Sequence, residues 1–204
     1  MKKSFLILFF ITFLSGCTII KVFQVLKIIN SGELANRDFK YEIPFEYKNG
    51  LIILNAKIND SKEEEFILDS GAPACLISDS ILKEAGLEKI LDFNATDVNS
   101  KDKEAHWYIA DSIKINKLCF KKTGTVNLKF GNPAANCLVK SGLIGMNIID
   151  KCVWHFDFPR KTIILASHID SIKDVKKGIR IPLKRNKAGY IFADFNFNGK
   201  GTEK

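Results

Sequence analysis

No Cys-x-x-Cys pair, no His-Glu-x-x-His pattern and no basic run interleaved with aromatics occurs in this sequence. Cys75, Cys119, Cys137 and Cys152 stand 44, 18 and 15 residues apart, which is not zinc-ribbon spacing. His106, His155 and His168 are isolated from one another, so the residues give metal chemistry no support. Lys+Arg 31 against Asp+Glu 23 leaves a net charge of +8, yet the bases are scattered, and a charge without a motif is not a nucleic-acid footprint. With only five prolines and 46% hydrophobic residues the chain is too apolar to be disordered. A charged fraction of 26% excludes a polytopic membrane protein, and 204 residues are too few for three domains. One ordinary domain with an additional segment remains.

The additional segment lies at the front. Lys2 and Lys3 precede an apolar run from Phe5 to Leu14, long enough for a signal-peptide core and about half of the roughly 20 residues a spanning helix needs. The run ends in Leu14-Ser15-Gly16-Cys17, which resembles the lipobox of bacterial lipoproteins. The resemblance implies a signal peptide over residues 1–16, acylation of Cys17 and an exported chain anchored to the bilayer through that cysteine. Thr18 to Ile29 is again apolar but carries Lys21 and Lys27, and reads as an interfacial or tethering segment over 17–40. Export permits disulfides among the four later cysteines, but the spacing does not pair them.

From Tyr41 onward the apolar pattern has period two in short bursts. Ile52, Leu54, Ala56 and Ile58 alternate, Phe66-Ile67-Leu68 is a short apolar strand, and Ser78 to Gly86 reads as one short helix with Ile81, Leu82 and Ala85 on its inner face. Ala110 to Ile115 and Leu118 to Lys121 form a hairpin around Asn116-Lys117. Val153 to Phe158 and Thr162 to Leu165 form another around Pro159-Arg160-Lys161, with Trp154, Phe156 and Phe158 on one face. The pattern predicts a mainly β domain, a small barrel or sandwich.

One local feature points to chemistry. Phe66-Ile67-Leu68 leads into Asp69-Ser70-Gly71-Ala72, so a strand delivers a carboxylate into a turn of small residues where a backbone or substrate can approach closely. Further on, Gly142-Leu143-Ile144-Gly145 precedes a strand that ends in Asp157-Phe158. Gly145 follows Gly71 by 74 residues. Together these two elements resemble the retropepsin-like aspartic peptidases, and among them the bacterial lipoprotein type. The resemblance covers about Ile43 to Leu165 and implies a closed β-barrel with one short helix over 41–170. It implies Asp69 as catalytic carboxylate, Ser70, Gly71 and Ala72 as the active-site loop, and Leu143, Ile144 and Gly145 as its support. A substrate-covering flap would fall within Thr96 to Tyr108, with Trp107 and Tyr108 either in that flap or in the core. No metal or organic cofactor is required by such a reaction; the partners implied are a polypeptide substrate and no nucleic acid.

That chemistry needs a second carboxylate, because one must be ionised to activate water while the other, protonated, polarises the scissile carbonyl. An internal repeat suggests its source. Gly50 to Asn59 aligns without a gap on Gly189 to Asn198, an offset of 139, and Ile43-Pro44 is echoed by Ile181-Pro182. Residues 178–204 then open a second lobe of a pepsin-like arrangement, whose own aspartate would lie further on at 69 + 139 = 208. Alternatively, two copies pair and each contributes Asp69, a homodimer. A different class of reading also stands: a non-catalytic surface lipoprotein that uses the same scaffold for binding, or an inactive fragment of an enzyme.

Overall fold

Side chains two residues apart share one face of a strand, so an alternating sequence folds with that face on a core. Leu51–Ile58 obeys this rule: Leu54, Ala56 and Ile58 are buried while Asn55 faces solvent. The computed structural model describes residues 20–96, 102–128, 140–173, 175–196 and 202–203. Its first strands are β1 (Glu33–Leu34), β2 (Lys40–Pro44), β3 (Glu46–Lys48), β4 (Leu51–Ile58), β5 (Glu63–Leu68) and β6 (Cys75–Ile77). Then come β7 (Lys89–Thr96), β8 (Asp102–Ile115), β9 (Leu118–Leu128), β10 (Gly142–Ile144), β11 (Val153–Asp157) and β12 (Thr162–Ala166). The short strands β13 (Lys184–Arg185), β14 (Ile191–Phe192), β15 (Phe195–Asn196) and β16 (Thr202–Glu203) follow. Helix α1 covers residues 20–29, α2 is Asp79–Glu84 and α3 is Met146–Ile149.

The mainly β class expected from the sequence is what the structure has. Strands β9, β6, β10, β5, β4 and β8 pair in that order, and β8 pairs back onto β9, so the path returns to its start. The ring is only partly closed. A long ladder from Ala105↔Leu128 to Ile115↔Leu118 joins β8 to β9, whereas β4 meets β8 only at Lys57↔Lys114 and Ile58↔Ile113. Inside lie the fully buried Ile58, Phe66, Ile77, Ile113, Phe120 and Ile144. Each buried aliphatic or aromatic side chain of this size contributes about 1.5–3 kcal/mol, and truncation to alanine costs about 2–5 kcal/mol. A second sheet, β11-β12-β2, packs Ile43, Ile163 and Leu165 on the same core.

The hairpin expected over 110–121 is present, with Asn116 at positive φ in its turn, but both strands run further than the hydropathy suggested. Thr123, Thr125 and Asn127 point inward and are buried, so polar residues on the core face conceal the continuation of β9. The second hairpin, β11–β12, also forms, and Trp154, Phe156 and Phe158 line up with successive ring centroids 6.4 Å apart.

Helix α2 lies where the sequence placed it, with Ser78 at the N-cap position in extended geometry and Gly86 at φ +63° just past the end. Ser78 does not cap through its side chain; its hydroxyl sits 3.0 Å from that of Ser80 instead. Among the described residues, two further α-helices join the single one expected. α3 is one turn started by Gly145, too short to show a period in sequence. α1 forms within the segment read as a tether, where Val25, Ile28 and Ile29 repeat at helical spacing and are buried against Ala74 and Trp107.

Candidate active site

Strand β5 ends at Leu68 and hands the chain to a loop, Asp69 to Ala74, that returns into β6. Strand β10 lies between the two arms: Leu143 and Ile144 pair in parallel with Ile67 and Leu68, while Gly142 and Leu143 pair antiparallel with Ile77 and Leu76. The ladder continues into the loop, where Asp69 N–H donates to the carbonyl of Ile144 at 3.0 Å and Met146 N–H donates to the carbonyl of Ala72 at 2.8 Å. Thus Asp69, Ser70, Gly71 and Ala72 are brought together with Leu143, Ile144 and Gly145, although the two groups stand far apart in sequence. Ile144 is completely buried, and Leu143 is half-buried.

Close approach explains the glycines at this crossing. A Cβ on Gly145 would lie 2.5 Å from the carbonyl carbon and oxygen of Ala74 and 2.9 Å from the carbonyl oxygen of Ala72, all backbone atoms. At Gly142, φ is +153° and a Cβ would lie 1.9 Å from the carbonyl oxygen of Leu76. Only glycine lets β10 pass this near to the loop and to β6.

Within the loop, Gly71 N–H donates to Oδ1 of Asp69 at 2.8 Å, and Ala72 N–H reaches the carbonyl of Asp69 at 3.3 Å. The carboxylate is half-buried; Ser70 and Gly71 are exposed and Ala72 is half-buried. Among the described residues no side chain bonds to Oδ2 of Asp69. That oxygen is available to a water or to a second carboxyl group brought from elsewhere. No described histidine, lysine or arginine forms an ion pair with Asp69.

Beneath the loop a buried polar network holds the backbone. Asn147, 1% exposed, accepts the N–H of Cys75 at 3.0 Å and donates to the carbonyl of Gly124 at 2.7 Å. Gly145 N–H points at the sulfur of Cys75 at 3.4 Å. Burial pushes the Cys75 thiol up to about 12, so it is a neutral packing group and not a nucleophile at ordinary pH. Gly124 in turn accepts α1: its N–H donates to the hydroxyl of Ser31 at 2.9 Å, and a Cβ there would lie 2.1 Å from the carbonyl oxygen of Ile28. Sequence reasoning missed the role of Asn147. Its signal was one amide in the otherwise apolar stretch Ile144 to Ile149, a residue type that is buried only when fully bonded.

Strands β7 and β8 form the hairpin in which the flap was expected, with Thr96 opposite Asp102 and the connection itself outside the described residues. Asp92 and His106 face each other across it, Oδ1 to Nδ1 at 2.6 Å, and Lys89 reaches the same oxygen at 3.0 Å. The hydrogen bond with His106, then that with Lys89, holds the Asp92 carboxyl below its usual range. Trp107 is buried against α1 and Tyr108 is half-buried beside the main core, so both pack in the body of the protein. Cys75, Cys119 and Cys152 are free thiols, whereas Cys17 and Cys137 lie outside the described residues.

No family model matches this chain, and no curated protein matches it. Among solved structures the chain is similar to the crystal structure of a retropepsin-like aspartic protease from Rickettsia conorii. The two share 19% identity over 66% of this chain and 91% of that chain, with a TM-score of 0.45.

Proposed function

We propose that this chain is one lobe of an exported, lipid-anchored aspartic endopeptidase with Asp69 as one member of its catalytic pair. The observation that carries the reading is the placement of the Asp69 carboxylate: half-buried, gripped through Oδ1 by Gly71 N–H, on a loop whose backbone is bonded to Ile144 and Met146. Such a support holds a reacting group in one geometry, which is what a positioned acid or base requires. Water is the nucleophile. The ionised carboxylate takes its proton, while a protonated partner polarises the scissile carbonyl. Ser70 buttresses the loop, Gly71 and Ala72 line the substrate, and Leu143, Ile144 and Gly145 support it from below. The partner carboxyl comes from a downstream lobe opened by residues 178–204, or from Asp69 of a second copy across a two-fold axis. Acylated Cys17 holds the enzyme on the membrane of a bacterial cell envelope.

The test is cleavage of an unfolded protein substrate by the full chain. Asp69→Asn abolishes cleavage from acid to neutral pH if the reading is right, and activity that survives in that variant overturns it. A non-catalytic binding protein on the same scaffold is the second reading, favoured by the absence of a second carboxyl group bonded to Asp69 among the described residues. A peptide that mimics the tetrahedral transition state separates the two. Tight, Asp69-dependent binding belongs to the enzyme, and indifference belongs to the scaffold.

A further inference from the structure

Helix α1 has two faces of opposite use. Its inner face, Val25, Ile28 and Ile29, is buried on Ala74 and Trp107, and its end is fixed by Ser31 on Gly124. The outer face is not polar, as it would be on a helix that merely covers a core. Ile20 is 58% exposed and Phe23 68% exposed, and Lys27 continues the same face one turn on. Ile20, Phe23 and Lys27 recur at helical spacing, so they form one stripe, apolar at the end nearer Cys17 and cationic at the other.

Charge and chain direction say what covers this stripe. From Cys17 to Gly32 the chain contains Lys21 and Lys27 and no aspartate or glutamate; the first acid is Glu33. Cys17, the residue acylated on the proposed reading, precedes Ile20 at the apolar end of the stripe by three positions in sequence. A face that is apolar first, basic second, and closely preceded by Cys17 in sequence is complementary to an anionic bilayer surface, with aromatic and aliphatic side chains at the acyl boundary and ammonium groups at the phosphates.

We infer that α1 docks on the membrane through Ile20 and Phe23, with Lys27 against anionic headgroups, and so fixes the catalytic loop in orientation to the bilayer. The inference rests on the membrane attachment proposed above, but through residues other than Cys17. The coupling is short, because the opposite side of α1 touches Ala74, the last residue of the loop that begins at Asp69, and Gly124, which is bonded to Asn147 under that loop. A domain held this way meets extended polypeptide close to the lipid surface rather than sweeping the surrounding solution on a flexible stalk.

The experiment places a tryptophan at Phe23→Trp in the full chain, reconstituted into vesicles of phosphatidylcholine and phosphatidylglycerol with and without brominated acyl chains. The expected result is an added, blue-shifted emission that brominated lipid quenches more strongly than it quenches the wild-type protein. Adding Ile20→Glu and Lys27→Glu should remove that extra quenching while the protein still floats with the vesicles. Flotation with an added tryptophan that is no more quenched than wild type overturns the docking and leaves the anchoring standing; this covers a stripe in water, under a second copy or under the chain's own leader. Failure to float overturns both. Because the readout uses no peptide cleavage, Asp69→Asn should quench like its parent, and the outcome is separable from the peptidase reading.

Discussion

Asn147 accepts the backbone N–H of Cys75 through its side-chain oxygen at 3.0 Å, joining α3 to β6 at the far end of the loop that carries Asp69. The same amide donates to Gly124 at 2.7 Å, so a single side chain satisfies a donor and an acceptor that have no access to water. Asn147→Ala removes both of these bonds, together with the one from the Cys75 thiol at 3.3 Å, and leaves a void. Each orphaned buried group costs about 1–3 kcal/mol, and the total loss should be about 3–5 kcal/mol. Urea unfolding of the variant against wild type measures it. Asn147→Leu should do no better, since it fills the space but leaves both backbone groups unpaired.

Gly145 and Gly50 separate two reasons for a glycine. A Cβ at Gly145 meets backbone atoms of Ala72 and Ala74 at 2.9 and 2.5 Å, whereas at Gly50, with φ +81°, it meets nothing within 4 Å. Gly145→Ala should therefore cost about 3 kcal/mol through overpacking of backbone that cannot move aside, and should displace the Asp69 loop. Gly50→Ala should cost only the left-handed penalty of about 1–2 kcal/mol. Thermal unfolding of the two variants checks the ranking, and on the proposed peptidase reading cleavage is lost in the first and kept in the second.

Much of this fold can be read from residue order, for identifiable reasons. β4 alternates and β5 ends in the apolar Phe66-Ile67-Leu68, which delivers Asp69 to a small-residue turn, so strand end and loop are visible locally. The crossing of β10 between β5 and β6 is not local. Leu143-Ile144-Gly145 shows its purpose only when Asp69 N–H is seen on Ile144, and Asn147 shows its purpose only beside Gly124. Hydropathy reads α1 as a membrane tether because it does not distinguish an apolar face buried on Trp107 from an exposed one, and this helix carries both kinds. The inner threonines of β9 hid that strand for the converse reason, since polarity on a core face mimics a loop.

Two depressed carboxyl groups set an acid limit to stability. Asp157 is held below its ordinary range first by the backbone N–H of Arg160 and then by its guanidinium, and Asp92 first by His106 and then by Lys89. A carboxyl group with a lowered folded pKa stabilises the native state above the unfolded value near about 4, and that contribution is lost as pH falls through the folded value. Melting temperature followed from pH 7 down to pH 2 should fall below about pH 4 in wild type. It should fall less in the Asp92→Asn, Asp157→Asn double variant, which starts lower and has no such carboxyl groups to protonate.

The thiols should differ in reactivity. Burial raises both Cys75 and Cys152 to about 12; Cys75 is buried outright, whereas Cys119 and Cys152 are partly exposed. Thiolate is the reactive form, so at neutral pH iodoacetamide should reach Cys119 well before the other two. Modification of Cys75, mapped by peptide mass, should follow global unfolding as denaturant is raised. Rapid labelling of Cys75 in the native protein would contradict the burial of the Asn147 network.

Beyond Gly178 the chain turns an apolar row outward. Ile179 is 93% exposed, Ile181 and Leu183 are each 60% exposed, and Tyr190 and Phe192 lie beyond them at 47% and 43%. The hairpin β13–β14 is nevertheless held to the body, since Arg185 reaches Asn30 at 2.9 Å and Asp150 at 3.3 Å, and Gly189 lies against Pro73 beside the Asp69 loop. Exposed apolar side chains beside short strand edges favour association between copies. Sedimentation of the protein should show association that grows with concentration, and Ile179→Ser with Ile181→Ser should reduce it. Arg185→Ala should act the other way on the body, freeing the hairpin from Asp150 and Asn30 and making residues 179–192 a preferred site of limited proteolysis. If the serine variant associates as strongly as wild type, the row does not drive assembly, and the contact must be sought on another face.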